Sequence, residues 1–198
     1  FDANGKVHIV YRDWWESTNR IYYIENVTGV WSARQLIATT SAAKPLLRIT
    51  PDNVLHVFYK ANSQLNYVFK SIGAATWSAP VKVNHDGSWC GDKACGDKWP
   101  AWAVVDASGG LFFSYLYLWD DNSSGPKSAL WGRYKPLGGA WGPVELVEPG
   151  PNRDSWPAES QLVAQGNTIY ATWDLNGARF KARSPGPNGI WGSTRTID

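Results

Sequence analysis

Cys90 and Cys95 are the only two cysteines of the chain, set in the stretch SWCGDKACGDKWPAW (88–102). Three chemistries compete for them. Zinc needs four ligands, and only His85 is close by in sequence. A redox pair needs the Cys-x-x-Cys spacing, which is absent. A disulfide closing a six-residue ring is the preferred reading. Chain entropy makes such a bridge worth only about 2 kcal/mol, so it shapes the loop more than it holds the fold. It also implies an oxidising compartment, and hence a secreted or cell-surface protein.

The tail of the same stretch, GDKWP, aligns with RDSWP at 153–157. Asp97 and Trp99 therefore match Asp154 and Trp156, with Arg153 alongside. A carboxylate two residues before an indole suits a saccharide subsite. The flat apolar ring stacks on a sugar face while the acid fixes hydroxyls. In the competing reading each Asp caps its own loop backbone and each Trp fills a gap between elements. Carboxylates roughly 5 to 9.5 Å apart could also hydrolyse a glycoside. Asp13, Glu16, Asp97, Asp120 and Asp154 form the pool for that chemistry. A lyase would want a Tyr or His base beside a cation that neutralises an acidic sugar. No nucleophile motif, phosphate-cradling glycine pattern or metal-ligand cluster is evident, so neither a cofactor nor a metal is expected.

The elements that must position these residues recur four times. DANGKVHIVYRD (2–13), TPDNVLHVFYKA (50–61), DASGGLFFSYLYL (106–118) and AQGNTIYATWDL (164–175) each join a tight turn to an alternating β-branched and aromatic run, the pattern of a strand. A second run follows each: RIYYIEN, QLNYVFKS, ALWGRYK and ARFKARS. A Gly-led turn then ends on Trp31, Trp77, Trp141 or Trp191. KPLLRIT, WPAWAVVD and WPAESQLVA precede three of the four units. Four short strands per unit of about 50 residues read as blades of an all-β propeller, with limits near 1–43, 44–98, 99–155 and 156–198. We letter the strands A to D from the innermost outward. The first unit lacks most of strand A. A second copy, or the remainder of a longer propeller, is expected to supply it.

The connections divide by end. A–B turns are uniformly tight, and C–D turns are short. B–C loops vary: DWWESTN, ANSQ, WDDNSSGPKS and LNG. D–A loops vary as well: ATTSAAK, NHDGSWCGDKACGDK and EPGPNRDS. Elaborated loops on a rigid scaffold are where binding concentrates. They carry Trp14, Trp15, Trp89, Trp99, Trp119 and Trp156 beside Asp13, Glu16, Asp97, Asp120, Arg153 and Asp154. Packing between blades is the rival role for any one of these indoles. For Trp31, Trp77, Trp141 and Trp191, fixed at the start of strand D, packing is the expected role. His8 and His56 share one place in strand B, where the fourth unit has Tyr170. We read both as packing between blades.

The Gly-x-Trp and Gly-x-x-Trp turns resemble degenerate Asp-box (BNR) repeats of sialidase-like propellers. That likeness spans nearly the whole chain and implies a propeller with a sugar-related role. The full Ser-x-Asp-x-Gly-x-x-Trp box is intact in none of the four copies, and the Arg-Ile-Pro motif of sialidases is absent. Sialidase chemistry is therefore not implied.

Composition bounds the partners. A net charge of +2 over 198 residues, with no Lys/Arg stripe, argues against nucleic acid. No apolar run approaches the roughly 20 residues of a membrane span. The absence of methionine suggests a processed or excised piece of something longer. The sequons at Asn26 and Asn122 are read as chance. The expected partner is an oligosaccharide or polysaccharide, gripped by a lectin-like or adhesin-like module. A glycoside hydrolase or polysaccharide lyase is the alternative, and a structural or protein-binding propeller the second alternative.

Overall fold

The structure is a computed structural model that describes residues 1–13, 19–27, 29–39, 42–61, 64–84, 98–120, 126–150, 158–174 and 177–197. For 27, 98–101, 118–120, 126–127 and 158–159 it describes backbone alone. All regular structure among these residues is β, in four four-stranded antiparallel sheets. They group into two compact units, Phe1–Val83 and Asn84–Asp198.

In the first unit, sheet one holds β1 (Val7–Asp13), β2 (Arg20–Val27), β3 (Val30–Trp31) and β4 (Gln35–Ala38). Both β3 and β4 pair with β2, so the outer strand is one strand in two pieces, and β1 is the opposite edge. The sheet thus reaches four strands without a counterpart of strand A. Sheet two runs β5 (Ala43–Thr50), β6 (Val54–Ala61), β7 (Gln64–Ser71), β8 (Val81–Lys82) in chain order. The second unit repeats that order twice. Its sheets are β9 (Lys98–Val105), β10 (Leu111–Asp120), β11 (Pro126–Lys135), β12 (Val144–Gly150), then β13 (Ala158–Gln165), β14 (Thr168–Asp174), β15 (Ala178–Arg183), β16 (Arg195–Thr196). β8 and β16 are only two residues long. An outermost strand packs on one side only, and Gly and Pro fill the approaches, so little ladder forms there.

The tight A–B turns follow from local chemistry. Gly5, Asn53 and Gly109 adopt φ of 76°, 59° and 79°, the left-handed region that Gly and Asn tolerate. The Asp2 carboxylate accepts the backbone N–H groups of Asn4 and Lys6, both at 2.9 Å. Asp106 accepts those of Ser108 at 3.0 Å and Gly110 at 2.8 Å. Thr50 holds the equivalent place in sheet two, where its hydroxyl bonds Asp52.

Consecutive sheets within each unit meet through apolar faces. Val57 and Tyr59 of β6 pack with Ile21 and Val10 of sheet one, and Ala171 and Trp173 of β14 pack with Phe112 and Leu130 of sheet three. Trp77 meets Tyr23 edge-on at 5.3 Å, and Trp191 meets Phe112 likewise at 5.5 Å. These two indoles pack across sheets, as their repeat position predicts. Trp31 departs from the packing role expected of it: it is 47 % exposed.

Candidate functional site

The turn end and the opposite end of the sheets differ in what their side chains have left to offer. At the turn end several buried polar groups bond one another. His8 Nδ1 lies 2.7 Å from the Tyr23 hydroxyl, which donates to Glu25 at 2.9 Å, while Nε2 lies 3.3 Å from Asp2. Burial would raise the Asp2 carboxyl, but the Lys6 N–H, His8 and the Asn4 N–H outweigh it and hold it below the usual carboxylate range. Burial, reinforced by Glu25, keeps the Tyr23 phenol well above its usual range. In sheet two His56 bridges Thr50 at 2.8 Å and the Tyr67 hydroxyl at 2.7 Å.

These contacts give both histidines a role beyond the expected packing. Each ties an A–B turn to strand C of its own sheet. The register gives the reason: His8 faces Glu25 and His56 faces Phe69, which sets each imidazole diagonally over the tyrosine two residues back. Sheet three solves the same problem with other residues. Phe112 replaces the histidine and Gly132 the tyrosine, and the Phe112 ring occupies the space a Cβ at Gly132 would need. Tyr134 then donates directly to Asp106 at 2.7 Å.

A second repeated device joins sheets. Lys70 of β7 donates to Gln35 of β4 at 2.9 Å and sits 4.6 Å over the Tyr23 ring. Arg183 of β15, in the same repeat position, grips Glu145 of β12 through two 2.7 Å bonds and lies 4.8 Å over the Tyr134 ring. Lys181 adds an ion pair to Glu148 at 2.6 Å. Sequence reasoning missed these locks. Lys70 and Arg183 share a place in the repeat, which was the available signal.

At the opposite end, Asp13 is the one predicted site residue whose side chain is described. It closes β1 opposite Arg20 and pairs with Arg34 at 3.2 Å. Arg34 lies 4.6 Å over the Tyr22 ring, which stacks on Tyr11. The Asp13 carboxylate thus has the half-exposed Arg34 guanidinium as a partner. Trp99 near the start of β9, and Trp119 and Asp120 at the end of β10, have their backbones at one end of sheet three, with Trp99 opposite Leu116 and Asp120 opposite Pro126. Trp14, Trp15, Glu16, Asp97, Arg153, Asp154, Trp156 and the Cys90–Cys95 pair lie outside the described residues.

The same end carries a cleft in the first unit of about 400 Å³. It lies between the end of β4 and the β6–β7 hairpin, lined by Thr39, Tyr59, Gln64 and Asn66 together with apolar Leu36 and Pro80. Among the described residues no cluster of His, Cys, Asp or Glu could hold a metal ion, and no helix is long and apolar enough to cross a membrane.

No family model matches the chain, and no curated protein is similar to it. A crystal structure of a protein of unknown function from Dyadobacter fermentans is similar in fold, with a TM-score of 0.67 at 10 % identity. The match covers 98 % of this chain and 66 % of that one, so this chain spans slightly less than two thirds of its neighbour's length. At that identity the likeness speaks to the fold alone.

Proposed function

We propose that the chain is a carbohydrate-binding part of an extracellular β-propeller that uses the B–C and D–A loop end of its sheets. The observation that carries this reading is the contrast between the two ends. Asp2, His8, Thr50, His56 and Asp106 each make bonds within the turn end. The elaborated Trp- and Asp-rich segments of the sequence and the cleft at Tyr59 belong to the opposite end. The blade reading draws support from the lock that recurs between consecutive sheets, Lys70 to Gln35 and Arg183 to Glu145, as repetition by one rotation requires. The fold neighbour supports a longer ring. The coverage puts that chain at about 290 residues, with room for about two more repeats beyond the four here.

An enzyme is the alternative, built on the acidic residues Asp13, Glu16, Asp97, Asp120 and Asp154 of the loop end. His8 and His56 are poor bases for it, being buried and hydrogen-bonded at the turn end. The test is oligosaccharide binding by Trp99→Ala/Trp156→Ala beside the parent chain, with thermal melts of both. Lost binding at an unchanged Tm supports the reading. Unchanged binding refutes the assignment of these two residues.

A further inference from the structure

The cleft lies where one repeat departs from the other three. Tyr59 stands where the other sheets have Tyr11, Tyr115 and Trp173, so that strand position is aromatic throughout. The residue directly opposite is Tyr22, Trp131 and Arg179 in sheets one, three and four, but Asn66 in sheet two. A large side chain stands at that position in three sheets. The short amide of sheet two borders the cleft between β4 and the β6–β7 hairpin.

What lines the opening is uncharged, part polar and part apolar. Gln64 and Asn66 stand two apart on β7 and share a face with Tyr59, the cross-strand partner of Asn66; Thr39 completes the polar lining. The Tyr59 ring is 3 % exposed, and among the described residues no hydrogen bond holds its hydroxyl. Burial raises its phenol above the usual range, so it remains a donor at neutral pH. No lining side chain is charged. A charged ligand here would lose hydration without gaining an ion partner. A small polyhydroxy ring instead finds the Tyr59 hydroxyl and the Asn66 amide, whose Nδ2 also donates to the Gln64 carbonyl at 3.4 Å, with apolar Leu36 and Pro80 beside its carbon face. The volume falls in the range of sites that take small ligands.

We infer that this cleft is a subsite for a neutral sugar residue, with Tyr59, Gln64 and Asn66 supplying its polar contacts. This rests on the carbohydrate-binding reading above and names both a place and a ligand class for it. The variant that decides is Asn66→Trp, which restores the bulk that sheet three carries at Trp131. Tyr59→Phe, which removes only the hydroxyl, serves as the milder control for folding.

Methyl glycosides of neutral hexoses and the matching hexuronic acids are titrated into the parent and both variants by calorimetry, with a thermal melt of each. The inference predicts that the parent binds neutral glycosides more tightly than uronic acids. Asn66→Trp weakens the neutral glycosides at least about tenfold and Tyr59→Phe about three- to tenfold. If both variants bind like the parent, the subsite is wrong while the carbohydrate reading survives. Tighter binding of the uronic acids overturns the neutral class. Failure of the parent to bind any saccharide, oligosaccharides included, overturns both. Should Asn66→Trp not fold, Tyr59→Phe alone decides: unchanged affinity refutes the subsite.

Discussion

Single residues explain how the carboxylates and histidines of the turn end are held. Asp2 has no exposed side-chain surface and accepts two backbone N–H groups. Its carboxyl is held below the usual range, so it stays ionised in the fold to a lower pH than in the unfolded chain. The stability it contributes is complete above the unfolded value of about 4 and is lost as pH falls through the lower folded value. Hydrogen exchange at the Asn4 and Lys6 amides should therefore show protection that holds above about pH 4 and declines below it. Asp2→Asn should flatten that profile. Asp13 makes a contrast. Its partner Arg34 is half exposed, so water screens the pair, and Asp13→Asn should change stability by less than about 1 kcal/mol in denaturant unfolding. The Asp-Ala-Asn-Gly and Asp-Ala-Ser-Gly turns were legible in the sequence because their chemistry is local. The histidine partners were not, since Tyr23 and Tyr67 become neighbours only once strand register is fixed.

At the scale of elements, alternation of apolar and polar residues marked the long strands plainly. It could not mark the two-residue outer strands, which have too few pairs to show a period, nor the division of the first outer strand at Ser32–Arg34. The exchange of His and Tyr for Phe and Gly in sheet three was equally hidden, because it is a change of packing partners rather than of pattern. Gly132→Tyr alone should destabilise by about 2 kcal/mol or more, since Phe112 occupies the space. Adding Phe112→His imports the pair found in sheets one and two and should recover about half of that loss; a double-mutant cycle in urea measures it. The lock between sheets gives a larger effect. Arg183 is fully buried and bound at both nitrogens to Glu145. Glu145→Ala leaves that charge unpaired and should cost about 3 kcal/mol, whereas Glu145→Ala with Arg183→Met should cost much less. Equal losses in the two proteins would show that the pair is not the lock.

Across the whole molecule, the repeat was legible from Trp31, Trp77, Trp141 and Trp191 together with the four turn-and-strand copies. The joins between consecutive sheets were not, because Lys70–Gln35 and Arg183–Glu145 link residues 35 and 38 positions apart and leave no local trace. The candidate site was legible only as a tendency of loops to be rich in Trp and Asp. The Tyr59 cleft escaped notice because it lies where Asn66 stands in place of a larger residue. One unit thus offers neutral polar groups at the loop end, while both units carry internal bonds at their turn ends. The central claim is that the loop end grips saccharide without transforming it. Intrinsic tryptophan fluorescence, titrated with neutral and acidic oligosaccharides and followed over hours, tests it most directly. The account predicts a saturable shift that persists unchanged, with no new reducing ends or unsaturated products. A shift that decays as product accumulates, or no shift with any saccharide, would contradict it.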